Sequence, residues 1–129
     1  MNILDEDIGL SQRLSLESWK IHFRQIGVEI GHSGMKDRNE VIPLLHQLIH
    51  PTFFTRDHGF YHPTLRHPGY CLVYLDVWDD ETAQYIRRFL RHGYFQAHAQ
   101  RIGNVARVHH KGLTYWRVGS EREQRIKWE

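Results

Sequence analysis

The feature that most constrains the fold is an unbroken apolar run at residues 70–75 (Tyr-Cys-Leu-Val-Tyr-Leu), the longest in the chain. Its length and its aromatic content favour a buried β-strand over a helix. A strand that is apolar on both faces must be covered on both faces, which is typical of a parallel sheet flanked by helices. We therefore expect an α/β domain with this run inside its sheet.

Three earlier segments have the composition of short strands. Residues 1–4 are mainly aliphatic and end at three acids, residues 28–30 follow a glycine, and residues 52–55 hold two phenylalanines between threonines. Near the C-terminus, residues 106–110 and 113–118 flank a Lys-Gly pair, which is a turn signal for a β-hairpin.

The segments between these strands have helical spacing. Apolar residues at steps of three and four predict a first helix over residues 11–25, which Gly27 would end. A second helix is expected to begin near Asn39, with Pro43 in its first turn, where a proline loses no hydrogen bond. Acidic residues 79–81 open a third helix. This order predicts a three-layer α/β sandwich with a mostly parallel central sheet and a C-terminal β-hairpin at one edge.

A chain of 129 residues is expected to form one domain, which we place at residues 1–118. Residues 119–129 are predicted to be a polar tail, either loose or a short helix. The single cysteine, Cys71, excludes an internal disulfide and a zinc site of paired thiolates. No apolar run reaches the roughly 20 residues of a membrane helix, and the N-terminus lacks the basic character of a secretory signal. A cytoplasmic protein without a membrane partner is expected.

Acidic residues follow the predicted strands, and the C-terminal ends of parallel strands meet at the edge of the sheet where ligands bind. They are Asp5 and Glu6 after the first strand, Asp37 after the second, Asp57 after the third and Asp76 after the fourth. Gathered carboxylates repel one another unless a cation neutralises them, and Mg²⁺ or Mn²⁺ prefers oxygen ligands. The arrangement suits metal-dependent phosphodiester hydrolysis. The alternative is that these acids are helix caps and solvated turns.

Five short motifs, in this order, resemble a known family. They are residues 3–7, 27–30, 37–40, 54–60 and 72–75. The sequence resembles a PIN-like nuclease domain, in particular the short prokaryotic PIN-like toxin branch that is similar to the C-terminal domain of Mut-7-type exonucleases. The resemblance covers about residues 1–118 and lies in the order and spacing of the motifs. It implies a Mg²⁺- or Mn²⁺-dependent endoribonuclease and is consistent with the toxin half of a toxin–antitoxin pair.

The resemblance implies that four acids are the catalytic residues and metal ligands, namely Asp5, Glu6, Asp37 and Asp57. Thr55, Arg56 and His58 are expected to position the substrate. For Arg56, a bidentate contact with phosphate and a surface salt bridge are equal alternatives. Gly59 stands where family members often carry a second acid. A non-catalytic PIN-like module that binds RNA or protein is therefore the main alternative.

The basic excess of the chain lies in its C-terminal part, because the net charge is −2 over residues 1–78 and +4 over residues 79–129. The hairpin offers a predicted RNA contact made of Arg107, His110, Lys111 and Arg117. Neighbouring aromatic residues would either stack on bases or pack in the core. Expected partners are RNA, a small antitoxin protein and a second copy of the chain.

A receiver-like signalling domain is the remaining alternative, because an acid pair after the first strand also opens that fold. It is disfavoured, since a receiver needs a lysine after its last strand and an acceptor aspartate in a different loop context after its third strand.

Overall fold

A computed structural model describes residues 1–35 and 37–128. In these residues the strands are β1 (Asn2–Leu4), β2 (Arg24–Gln25), β3 (Thr52–Thr55), β4 (Cys71–Leu75), β5 (Asn104–His109), β6 (Gly112–Arg117) and β7 (Gln124–Lys127). They form one sheet in the order β2-β1-β3-β4-β5-β6-β7. The first five strands run parallel, and β6 and β7 are antiparallel to their neighbours. The predicted α/β fold with a mostly parallel sheet is confirmed.

Helices cover both faces of this sheet. They are α1 (Leu10–Ser18), α2 (Arg38–His46), α3 (Thr82–Arg91) and the short α4 (His98–Arg101). Side chains alternate along each strand, so that Leu4 packs in one core with α1 and α3 while Ile3 packs in a second core with α2. The apolar run in β4 divides in the same way and supplies both cores. Helices on both faces agree with a sandwich of three layers.

The first helix is shorter than predicted. It ends at Ser18, seven residues before the expected end at Gln25. The Ile21 amide donates to Leu16 O (3.0 Å) and the Lys20 amide donates to Glu17 O (2.9 Å), which are the two bonds of a Schellman cap. This cap requires Lys20 in the left-handed region, and its φ is 60°. The apolar spacing continues through Phe23, which favours a longer helix. A lysine is not a typical residue for such a cap, so the sequence does not indicate where the helix ends.

The second strand was also misplaced. Residues 28–30 were expected to form it, but Arg24 and Gln25 pair with β1 instead. Gly27, expected to end a helix, lies in the loop after β2 with a φ of 85°. A side chain there would collide with Glu6, because a Cβ would lie 2.7 Å from Glu6 Oε2. Gly27 thus permits the close approach of Glu6.

Two further expectations need correction. Helix α2 begins at Arg38, so Pro43 lies beyond its first turn and removes one backbone hydrogen bond of the helix. Residues 119–129 were expected to be loose or a short helix, yet Gln124–Lys127 forms β7 and pairs with β6. The β5–β6 hairpin is therefore not at the edge of the sheet. Glu129, the end of the predicted tail, lies outside the described residues.

None of the described helices has the length and apolar character needed to cross a lipid bilayer.

Candidate functional site

The C-terminal ends of β1, β3 and β4 lie side by side, because these strands are parallel neighbours. Asp5 follows β1 directly, Asp57 stands two residues after β3, and Asp76 follows β4. The predicted gathering of acids at this edge of the sheet is therefore present in the backbone. What each carboxylate does there depends on its hydrogen-bond partners.

Asp5 and Asp57 are joined through the hydroxyl group of Thr55. Thr55 Oγ1 donates to Asp5 Oδ2 (2.7 Å) and accepts from the Asp57 amide (3.0 Å). The other oxygen of Asp5, Oδ1, accepts from the Glu6 amide (2.8 Å). Thr55 is completely buried and Asp5 is 3% exposed, whereas Asp57 is exposed. The pair thus consists of one buried carboxylate beneath one that faces solvent.

The environment of Asp5 disfavours its negative charge. Burial raises the pKa of the Asp5 carboxyl above its ordinary value, and the hydrogen bonds from Thr55 and Glu6 oppose that rise. Repulsion from Asp7 and Asp57 raises the pKa further. Within the described residues, no Lys, Arg or His side chain forms an ion pair with Asp5 or Asp57. A cation at this place would relieve the repulsion.

Glu6 and Asp37 are turned toward other partners. Glu6 Oε2 accepts from the Gly34 amide (2.8 Å) and so fixes the loop after β2. Asp37 Oδ1 accepts from the Asn39 amide (2.9 Å) and caps the start of α2. Across residues 1–35 and 37–128, no group of three or more His, Cys, Asp or Glu side chains is arranged to hold a metal ion. The structure therefore brings Asp5 and Asp57 together and leaves the other two predicted ligands apart.

Arg56 and His58 flank Asp57 on the surface. Arg56 Nη2 donates to Val77 O (2.9 Å), and its Nη1 lies 3.6 Å from Asp79 Oδ1. The salt-bridge alternative for Arg56 is thus realised, and its side chain stays 35% exposed beside Asp57. His58 is exposed and opens a short 3₁₀ turn (His58–Phe60), and Asp57 Oδ1 caps this turn by accepting from the Gly59 amide (2.9 Å).

The acids farther along the same edge contact an arginine and a histidine. Arg107 Nη2 lies 2.6 Å from Asp76 Oδ2, and His110 Nε2 lies 2.7 Å from Glu81 Oε1. The hydrogen bond from His110 lowers the pKa of the Glu81 carboxyl below its ordinary value. Two of the predicted RNA contacts, Arg107 and His110, are therefore already engaged within the chain.

The other two predicted RNA contacts differ in position. Lys111 is exposed at the turn between β5 and β6, while Arg117 Nη1 donates to Gln100 O (3.2 Å) at the far end of β6. Lys111 lines a shallow cavity of about 360 Å³ beyond β4 and β5, together with Trp78. Trp78 is 69% exposed, although large apolar side chains are usually buried.

Sequence reasoning missed two residues that shape this edge. Gln25 is buried, and its Nε2 donates to Asp5 O (3.0 Å) and Ile8 O (2.7 Å), so it fixes the turn that carries Asp5. The helical spacing predicts Gln25 as the last residue of the first helix, and this hides its role in the turn. Trp78 is the second such residue. A tryptophan close to an apolar strand is expected to be buried, so the sequence gives no sign that Trp78 is exposed.

Comparisons with protein-family models, with curated proteins and with solved structures find no match to this chain.

Proposed function

We propose that this chain is a divalent-metal-dependent, PIN-like endoribonuclease whose working site is the Asp5–Thr55–Asp57 group. One observation carries the proposal: a buried carboxylate lies next to a second carboxylate, and both lack a cationic partner in the described part of the chain. Buried charges are normally paired or bound to a metal, because an isolated buried charge is costly. The arrangement is thus typical of a site that binds a cation.

The donor set fits magnesium or manganese. Both carboxylates offer hard oxygen atoms, and Mg²⁺ is commonly held by one or two carboxylates with waters and substrate phosphate oxygens in the remaining positions. Two protein ligands, Asp5 and Asp57, are therefore enough for such a site. When bound, a divalent ion would polarise the scissile phosphate and lower the pKa of a water nucleophile.

The residues of this chain would contribute binding and orientation. Thr55 holds both partners, since its hydroxyl contacts the carboxylate of Asp5 and the backbone of Asp57. Arg56, fixed by Val77 O, keeps donors available for a phosphate oxygen beside Asp57. Trp78 and Lys111 lie beyond the neighbouring strands, where a flanking base could stack and a flanking phosphate could be neutralised.

The test is an RNA cleavage assay with purified protein in Mn²⁺ or Mg²⁺. Asp5→Asn and Asp57→Asn should each lower the rate at least about 100-fold, because each removes a metal ligand. Asp76→Asn is the matched control, since that acid is paired with Arg107, and it should retain activity. Equal residual rates in all three variants would remove the proposed site, and RNA binding without any cleavage would favour the non-catalytic module.

The strand order gives specific support to one other candidate, the receiver-like domain. The five parallel strands follow the order 2-1-3-4-5, which is that of flavodoxin-like folds. Asp57 follows β3, where a receiver carries its acceptor, and Lys111 follows β5, the last parallel strand, so the objection raised from the sequence is weakened. Against this candidate, Lys111 forms no ion pair with an acid in the described residues.

Acetyl phosphate distinguishes the two functions. In a receiver, an Asp57 oxygen would attack its phosphorus, forming an aspartyl phosphate and releasing acetate. Intact-mass measurement should then detect phosphorylated protein in the wild type and none in Asp57→Asn. We expect no phosphorylation of either.

A further inference from the structure

A groove lies on α3, apart from the candidate site. Its volume is about 650 Å³, and it is lined by Trp19, Gln84, Arg87, Arg88, Arg91, His92, Gly93 and Trp128. Three of these residues are arginines and none is acidic. Gln84, Arg87, Arg88 and Arg91 have the spacing of one helical face, and that face points away from the core.

Two of the arginines are held in place by tryptophans. The Arg87 guanidinium lies 4.7 Å from the centroid of the Trp19 ring, and that of Arg88 lies 4.3 Å from the centroid of Trp128. Such stacking orients a guanidinium while leaving its N–H edge available. Trp128 is fixed in turn, because its Nε1 donates to His109 O (2.7 Å). Arg87 Nε is buried without a hydrogen-bond partner in the described residues, so Arg87 presents only its terminal N–H groups to the groove. The groove therefore presents oriented guanidinium groups that can contact anionic oxygens.

Aromatic and histidine side chains, with Asp79 and Glu81 beside them, lie between this groove and the candidate site. Trp128, which lies against Arg88, donates from Nε1 to the carbonyl oxygen of His109, and the neighbouring His110 is exposed. The His110 ring lies 6.2 Å from that of Trp78, which follows the Val77 carbonyl bound by Arg56. A polymer lying along this band would reach from Asp57 to the arginines of α3.

We propose that the arginines of this groove bind the phosphodiester backbone of single-stranded RNA outside the cleavage site. The inference rests on the proposed ribonuclease function for the choice of polymer. The stacked guanidiniums cover one face of each indole, which favours phosphate contacts over base readout. An acidic segment of a partner protein carries similar anionic groups, but the continuous band toward Asp57 favours a ligand that also enters the candidate site.

The experiment measures binding without cleavage. A fluorescein-labelled 2′-O-methyl RNA of about 16 nucleotides is titrated with protein in EDTA, and anisotropy is recorded at several salt concentrations. Arg87→Gln/Arg88→Gln/Arg91→Gln should weaken binding at least about tenfold and lower the slope of log K against log salt by about 2, which corresponds to three lost phosphate contacts. The matched control, Arg122→Gln/Arg125→Gln/Lys127→Gln, removes the same charge from the exposed C-terminal segment and should bind as the wild type does.

A single substitution tests the same groove in case the triple variant fails to fold. Arg91 is exposed and stacks on no ring in the described residues, so Arg91→Gln should fold normally and still lower the salt slope by about 0.7. Equal losses in the groove and control variants would show an effect of net charge alone and overturn the proposal. Displacement of the RNA by poly-glutamate at equal charge concentration would overturn it in favour of an acidic protein ligand.

Failure of the ribonuclease function is distinguishable from failure of this groove. If the wild type binds RNA through the groove but never cleaves it in Mn²⁺, the binding site stands and the nuclease proposal falls. If the wild type cleaves and the groove triple variant binds and cleaves long RNA equally well, the groove proposal falls alone.

Discussion

The acids at one edge of the sheet have two different kinds of surroundings. Beyond β4 and β5, Asp76 contacts Arg107 and Glu81 contacts His110, so each carboxylate has a cationic or protonatable partner. Beyond β1 and β3, the Asp5 carboxylate is buried, its hydrogen bonds within the described residues come from a hydroxyl and an amide, and Asp57 is nearby. Paired charges at a surface are usual in stable folds, whereas a repelled buried carboxylate lowers stability and is typical of functional sites.

The directions of the pKa shifts express this difference. Burial raises the pKa of Asp5, so its ionised form is disfavoured in the folded state. The hydrogen bond from His110 lowers the pKa of Glu81, so the ionised form of Glu81 is favoured. Removing the negative charge of Asp5 and removing that of Glu81 should therefore change stability in opposite directions near neutral pH.

The largest change in stability is expected from removing the Thr55 hydroxyl, which contacts the Asp5 carboxylate and the Asp57 amide. Thr55→Val keeps the shape of the side chain but leaves the buried Asp5 carboxylate without its donor and the Asp57 amide without its acceptor. We expect a loss of about 1 to 3 kcal/mol in the free energy of unfolding, measured by urea denaturation at neutral pH.

Thr55→Ser is the matched control, because it restores the hydroxyl and removes only a methyl group. It should recover most of the stability lost in the valine variant. A valine variant as stable as the wild type would show that the Thr55 hydroxyl does not stabilise the buried Asp5 carboxylate. It would contradict the contrast between Asp5 and the acids beyond β4 and β5.

A smaller effect of opposite sign is expected from Asp5→Asn. Because the folded-state pKa of Asp5 lies above its unfolded value, its favourable contribution is fully present below the unfolded pKa and is lost as the pH rises through the folded pKa. At neutral pH the ionised carboxylate is thus a net cost. In metal-free buffer the variant should be more stable than the wild type by about 1 kcal/mol, from urea denaturation at about pH 7.

This gain should disappear in acid, as the pH approaches the ordinary Asp value of about 3.9. Glu81→Gln is the comparison, because Glu81 contributes stability above its unfolded pKa and loses it as the pH falls through the lower folded pKa. That variant should be destabilised near neutral pH and equal to the wild type in acid. Parallel pH profiles for the two variants would contradict the contrast.

Much of this contrast could be predicted from the sequence, and the reasons are physical. The apolar runs placed β3 and β4 within one residue of their observed bounds, because buried strands must be apolar on both faces. Parallel pairing then brought Asp5 and Asp57 to one edge. Neither step requires knowledge of side-chain rotation.

The features that escaped prediction depend on local geometry or on distant partners. Lys20 ends α1 through a left-handed conformation that a lysine seldom adopts. Because the helix ends early, β2 lies at Arg24–Gln25 and not at residues 28–30. Strand β7 is polar, and only its pairing with β6 reveals it. Glu6 contacts an amide 28 residues away, which no short motif could indicate.

The smallest expected effect concerns the paired side. Asp76 and Arg107 are 43% and 37% exposed, so water and salt screen their attraction. A double-mutant cycle with Asp76→Asn and Arg107→Gln should give a coupling of about 0.2 to 1 kcal/mol in urea denaturation, decreasing as salt is added. A coupling above about 2 kcal/mol would place this pair among buried ion pairs, and its acid would then need the same explanation as Asp5. A value near the expected one assigns Asp76 an ordinary surface role and restricts the proposed metal site to Asp5 and Asp57.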